Sequence, residues 1–365
     1  MKELPVTVKR SIELIGLVVL AYVVSSARQI ITPLLMAFFL AILLLPLYRL
    51  LRRGKLPEAL AILLSIVAAA LVLAGLVWFF SAQVASLLSD IPQIRENLNI
   101  HWHTLSNWIN AKTNFSSEQQ IEWLRQQSNG LLDNTGTYLS GAALSLSGVF
   151  VFVGLLPIYT FLILYYKNLL LRFVFLWFAP EQHNTVHSSL TEAEVIIKSY
   201  LVGLMIQITY ITILLGGILM IVGIKHALLI GIIFAILNLI PYVGALIGNI
   251  IGVLLTLTSS QELWPIVTVL VVIAAVQFLD NNILMPRIVG SKVRLNALVS
   301  ILGVIIGGSV AGIAGMFLSL PVMAILKIIF DNSSSLKQWG ILLGDEKPKR
   351  SPMNFMRSRR GGEAK

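Results

Sequence analysis

Asp280 ends an apolar run that begins at Ile266, and amides stand on either side of it: Gln277 one turn before, Asn281 and Asn282 directly after. A carboxylate at the centre of a bilayer costs about 2.5 to 3.5 kcal/mol on insertion scales, so it ordinarily faces a polar cavity and works there. Two roles fit it. It can bind a cation or a proton on a transport pathway, or it can pair with Arg287 or Lys292 and pin the end of a helix. Counted inward from Leu263, Asp280 lies closer to the cytoplasmic end of its segment than to the middle. The neighbouring amides suit a hydroxylated solute as well as a hydrated cation, and Pro286 and Arg287 complete the polar stretch. A second group of candidates lies at Asn238-Leu239-Ile240-Pro241-Tyr242-Val243-Gly244. Pro241 cannot donate to a helix ladder, Gly244 permits unusual backbone angles, and Asn238 and Asn249 can bond the carbonyls thus freed. Gln207, Thr209, Tyr210 and Thr212 form a polar stripe that faces either the pathway or another helix, and Gln207 is counted with the pathway.

Other chemistries find no support. There is no G-x-x-x-x-G-K-[ST], no H-E-x-x-H and no G-x-S-x-G, the patterns that would cradle phosphate, bind zinc or present a serine nucleophile. The chain has no cysteine, which excludes disulfides and thiol chemistry. His101 and His103, two residues apart, point to different sides of a helix and have no third ligand nearby, so they read as solvated surface rather than as a metal site. No enzyme, metal or cofactor is expected. Any driving force is then an ion or solute gradient.

The elements that must position these residues are membrane helices. Of 365 residues 57% are hydrophobic and 12% charged, with a mean hydropathy of +0.86, more apolar surface than a soluble core can hide. Backbone amides in lipid must be satisfied internally, and the long unalternated runs select helices over a barrel. Apolar segments fall at 12–27, 30–47, 59–80, 141–166, 197–222, 227–256, 263–284 and 297–330. The first is read as a retained helix rather than a cleaved leader, for no small-residue cleavage region follows it.

Length and charge then constrain the topology. At about 1.5 Å per residue the segments 227–256 and 297–330 would be roughly 45 and 50 Å long as straight helices, against a hydrocarbon core of about 30 Å. Both are also broken, the first at Pro241, the second by Gly303, Gly307, Gly308, Gly312, Gly315 and Pro321. In the second, small-xxx-small spacing equally suits close helix packing. Lys2, Lys9 and Arg10, then Arg49, Arg52, Arg53 and Lys55, then the basic C-terminal stretch belong in the cytoplasm. Eight plain spans would leave Arg287, Lys292 and Arg294 outside. Making both long segments re-entrant hairpins, entering from opposite faces, returns them to the cytoplasm. The expected fold is therefore all-α and polytopic, with six full spans and two re-entrant hairpins.

Four regions follow from this pattern. Residues 1–80 form the N-terminal membrane helices, and 81–140, with Trp102, Trp108 and Trp123, an extracytoplasmic helical region. Residues 141–336 make the transport core, with hairpins at 227–256 and 297–330. Residues 337–365 are a basic cytoplasmic tail suited to anionic headgroups. Within the core, 167–198 reads as an amphipathic connector, in which Glu192 and Glu194 either gate or cap a helix. The net charge of +10 reflects this distribution and not a nucleic-acid groove.

The motifs 238–244, then Asp280-Asn281-Asn282-Ile283-Leu284-Met285-Pro286-Arg287-Ile288-Val289-Gly290, then 312–321 (GIAGMFLSLP) occur in order along the chain. In them the sequence resembles the autoinducer-2 exporter family of bacterial membrane proteins. That resemblance implies a permease of the bacterial plasma membrane, conventionally drawn with about eight helices. It also implies export of a furanosyl signal such as autoinducer-2 or, in some branches, exchange of sodium or lithium for protons. Asp280 suits the second, since proton coupling needs at least one titratable group. The partners expected are lipid and a small solute or cation, with assembly into a homo-oligomer open. The rival reading is a non-transporting membrane scaffold whose outer region, 81–140, binds a partner.

Overall fold

The structure is a computed structural model that describes residues 5–113, 154–240, 243–284, 287, 295–333 and 336–345. The described residues form helices and no strand. In chain order these are α1 (Val6–Ser26), α2 (Arg28–Arg53), α3 (Glu58–Ser89) and α4 (Ile91–Thr113). After α5 (Gly154–Tyr165) come α6 (Lys167–Leu176), α7 (His183–Ile221), α8 (Ala227–Leu237) and α9 (Val243–Ser259). The last are α10 (Trp264–Leu279) with a π turn over Asp280–Leu284, α11 (Ala297–Asp331) and α12 (Lys337–Leu343).

Five helical stretches are long and apolar enough to cross a bilayer: α2, α3, α7, α10 with its π turn, and α11. The pair α5–α6, bent by 65°, makes a sixth. Leu71, Val72 and Trp78 on α3 stay largely exposed, as side chains facing hydrocarbon do. Three expectations need adjusting. The fifth apolar segment is the far part of a helix that starts at His183, so the connector over 167–198 is made of α6, a 3-10 turn at Pro180–Gln182 and the first turns of α7 itself. Its early turns are held by solvated contacts, Arg49 Nη2 to Glu194 Oε1 at 2.9 Å among them. In the outer region α3 continues to Ser89 and α4 follows directly, while 114–140, with Trp123, lies outside the described residues. His101 is not solvated surface either: its Nε2 sits 2.7 Å from the Ser260 carbonyl at the end of α9.

Helix α7 is the axis of the bundle. On one stretch Ile211, Leu215 and Leu219 pack with Ile230 and Phe234 of α8 and with Val269 and Ile273 of α10. On the other, Ile197, Leu201 and Leu204 pack with Phe39 and Ile42 of α2 and with Leu318 of α11. Helix α8 turns back beside Leu219 at the positive-φ residue His226 and runs antiparallel to α7. The two cross closely because Gly216 faces Gly231, where a Cβ would meet the Gly216 nitrogen at 2.9 Å.

Neither long C-terminal segment is straight. Helices α8 and α9 fold against each other: Gly244 lies on Asn238, Gly248 on Phe234 and Gly252 near Ile230, an antiparallel register. With 11 and 17 residues the arms reach only about 16 and 25 Å. Helix α11 breaks at Ala311 and Gly312, whose dihedrals are non-helical. Past that break Gly315 lies on Gly307, Met316 on Gly308, and Ser319 and Met323 on Gly303, so this segment also doubles back. Asn296 ties its base, accepting from Val299 N at 2.9 Å and donating to the Leu342 carbonyl at 2.7 Å.

Candidate functional site

The depth at which polar groups meet follows from helix lengths. Helix α8 begins beside Leu219, and eleven residues later its end lies level with the part of α7 about eleven residues back from there, near Gln207 and Tyr210. Helix α10 descends from the same end and delivers Asp280 to that level. The three elements converge on one carboxylate. Gln207 Nε2 donates to Asp280 Oδ2 at 2.9 Å and Asn238 Nδ2 to the same oxygen at 3.0 Å, while the Tyr210 hydroxyl donates to Oδ1. Asp280 is 1% exposed and Gln207 2% exposed, whereas Tyr210 and Asn238 are half-buried.

Local structure explains each placement. Gln207 and Tyr210, three residues apart on α7, share one face one turn apart. Asn238 occupies the turn after α8, where the close approach of Gly244 is possible only without a Cβ, because one would overlap the Asn238 backbone. Asp280 opens a π turn, the wider loop that recurs as an interruption of α-helices at functional sites. Among the described residues no Lys or Arg reaches Asp280 within ion-pair distance. Its charge is met by three neutral donors, and the ion pair with Arg287 weighed above does not form; Arg287 is exposed, and Lys292 lies outside the described residues.

The remaining sequence candidates are placed apart from this cage. Gln277 Nε2 donates to Asn281 Oδ1 at 3.2 Å, and Asn282 Nδ2 to the Phe278 carbonyl at 2.9 Å. Asn281 and Asn282 are exposed, and Asn249 is half-buried on α9. Pro241 and Pro286 lie outside the described residues. Tyr210 is the group that sequence reasoning did not single out from its stripe, and its spacing of three from Gln207 is the signal that pairs them. Two buried acceptors, Gln207 Oε1 and Gln277 Oε1, have no hydrogen-bond partner. Among the described residues no three His, Asp or Glu side chains gather as a metal set.

Comparison with known proteins gives the family in which this buried carboxylate occurs. The model of the AI-2E family transporters matches residues 14–335. The chain belongs to the AI-2E transporter family. Its members are transport proteins, not enzymes, and this one is a multi-pass membrane transport protein of a bacterial family. It is 28% identical to the AI-2 transport protein TqsA of Escherichia coli K12 over 90% of this chain and 93% of that one. It is 26% identical to YrrI of Bacillus subtilis 168, described as a candidate transport protein, over 83% of this chain and 86% of YrrI. The match to YhhT of Escherichia coli K12, described likewise, is 25% over 93% of this chain and 95% of YhhT. The AI-2E match spans α2 to α11 without interruption, so the cage around Asp280 lies wholly inside the family's own segment.

Proposed function

We propose that this AI-2E member is a secondary transporter in which Asp280 couples solute movement to an ion, either exporting a small autoinducer-2-like solute or exchanging Na+ or Li+ for protons. The observation that carries it is the buried Asp280 carboxylate, held by α7 and by the turn between α8 and α9 with no Lys or Arg paired to it among the described residues. Such a group changes its interactions with both elements when it takes up a proton or a cation, and a carrier needs that linkage. The name of TqsA supports the solute branch. The lone carboxylate supports the exchange branch.

Six spans, α1 joining α2, α3, α5, α7 and α10, with two re-entrant hairpins, one formed by α8–α9 and one by α11, fit this role. Support comes from packing against α7. The first hairpin starts beside Leu219 and turns level with Gln207. The second sets Ala324 and Ile328 against Ile196 and Leu318 against Leu201 and Leu204, so its turn at Gly312 approaches the same depth from the opposite end. The basic residues Arg49, Arg52, Arg53 and Lys55 support a cytoplasmic location for their end of the bundle and for both termini, in a bacterial inner-membrane protein.

The test is reconstitution in liposomes containing a pH dye, with Na+ or Li+ added across a proton gradient, followed by efflux of loaded autoinducer-2. One of the two fluxes is expected, and Asp280→Asn abolishes it while the protein still inserts and elutes as a single species. Unchanged flux in Asp280→Asn overturns the coupling role.

A further inference from the structure

Three donors converge on Asp280, yet none of them is an obligate donor. The amides of Gln207 and Asn238 carry an acceptor as well as a donor, and the phenol of Tyr210 rotates to give or to accept a hydrogen bond. A cage of Lys, Arg or backbone N–H groups would hold only the carboxylate. This one accommodates the protonated acid too. The two oxygens are not equivalent, however. Oδ2 accepts from both amides, and a proton there would displace two bonds at once. Oδ1 accepts from Tyr210 alone.

We propose that Tyr210 is the proton-exchange partner of Asp280, a positioning residue that lets Oδ1 gain and lose a proton while Oδ2 keeps hold of Gln207 and Asn238. This rests on the coupling role of Asp280. A proton arriving from water forms the Oδ1–H bond. The new acid O–H donates to Tyr210 Oη, and the phenolic O–H turns away from the carboxyl. The acceptor it needs is Gln207 Oε1, buried and without a hydrogen-bond partner, on the same face of α7 one turn back. Proton release reverses each step. Neither carboxyl oxygen of Asp280 loses its partner in the acid form, and the turn between α8 and α9 stays attached through Asn238 throughout the cycle. Among the described residues Tyr210 is the one titratable side chain bonded to Asp280; α7 adds the amide of Gln207, the turn after α8 that of Asn238, and α10 carries the amide of Gln277 one turn before it.

The pair can be read without knowing the solute. Infrared difference spectroscopy of the purified full chain, taken as a function of pH and subtracted from Asp280→Asn, isolates the carboxyl stretch of Asp280 and its titration midpoint. Tyr210→Phe removes a bond to the charged form that is about twice as strong as the one to the neutral form, so the midpoint is expected to move by about one pH unit to the alkaline side. In the wild type, with ring-labelled tyrosine and Tyr210→Phe as the blank, the Tyr210 C–O stretch changes with the same midpoint. An unmoved or acid-shifted midpoint in Tyr210→Phe, or a Tyr210 band indifferent to pH, overturns the pairing. A carboxyl band that never titrates overturns it together with proton coupling. Normal liposome flux in Asp280→Asn, beside a midpoint that shifts as expected, removes the transport role and leaves the pair standing.

Discussion

Asn238 and Asp280 are 42 residues apart in sequence and joined by one hydrogen bond of 3.0 Å, Nδ2 to Oδ2. That bond fastens the turn of a helical hairpin to the end of α10, and Gln207 fastens the same oxygen to α7. Removing the amide in Asn238→Ala deletes a bond to a charged acceptor, and such bonds contribute about 1.5 to 3 kcal/mol. The expected result is a lower unfolding temperature in detergent and transport reduced about tenfold or more. Asn238→Gln, which keeps the donor on a longer stem, recovers part of both. Equal flux in Asn238→Ala and wild type would detach the hairpin turn from the transport step.

The fold-back of α11 makes a separate prediction. A Cβ on Gly315 would overlap the Gly307 carbonyl, so Gly315→Ala must push the two arms apart, at a cost of about 1 to 3 kcal/mol. Gly312 has open space around it but a φ of +59°, and Gly312→Ala costs about 1 to 2 kcal/mol for its backbone alone. Gly217 has neither restriction. Within α7, Gly217→Ala is expected to be neutral or to stabilise by up to about 1 kcal/mol. Thermal stability of the three variants by fluorescence-detected size exclusion orders them Gly217→Ala above wild type or equal to it, with the other two below.

Gln207 supports a third test. Gln207→Leu keeps the volume of the side chain near that of the amide but withdraws one of the two donors to Oδ2 and the unpaired acceptor as well. A buried charge that loses a donor is destabilised by about 1.5 to 3 kcal/mol. Flux is expected to fall, and Gln207→Glu, which sets a second carboxylate against Asp280, is expected to be worse because like charges at hydrogen-bond distance oppose ionisation of both. Flux in Gln207→Leu at the wild-type level would reduce Gln207 to packing.

How much of this was legible in the chain depends on which kind of signal was asked for. Asp280 declared itself because one carboxylate in an apolar run is costly, and Asn238 because it stands three residues before Pro241 in a run too long to be straight. The convergence of Gln207, Tyr210 and Asn238 on that carboxylate was not legible, since it depends on where α8 ends against α7, a matter of residue counts across a turn. Asn281 and Asn282 read as neighbours of Asp280 but are exposed, because residues one and two along a helix do not share a face. Helix limits erred in one direction: α3 and α7 extend past their apolar runs to Ser89 and from His183, since polar residues continue a helix once hydrocarbon-facing turns have nucleated it. His101 looked solvated because nothing local reveals that the α9 terminus comes to meet it.

The last prediction concerns the end of the bundle where α7 turns into α8. There Lys225 Nζ lies 2.9 Å and His226 Nε2 3.1 Å from Asp90 Oδ2, at the end of α3, and Lys225 also donates to Gln93 Oε1 at 2.7 Å. The Lys225 ammonium holds the Asp90 carboxyl below the ordinary carboxylate range. Burial of the His226 imidazole, 4% exposed, pulls it below its ordinary value, with Lys225 acting the same way and Asp90 against it. Because the unfolded imidazole binds its proton first, the stability contributed by neutral His226 is complete above the ordinary value of 6.5 and is lost as pH falls from there towards the lowered folded value. Asp90 contributes at every pH above its ordinary 3.8 and yields only on stronger acidification. The unfolding temperature is therefore expected to fall in two stages as pH drops. His226→Asn, chosen because asparagine tolerates the positive φ at this position, removes the first stage and keeps the second, whereas Asp90→Asn diminishes the second, to which Glu58, held below its ordinary value by Lys167, also contributes. Melting curves in detergent from neutral to acid pH check this, and a first stage that persists in His226→Asn would assign it to another group.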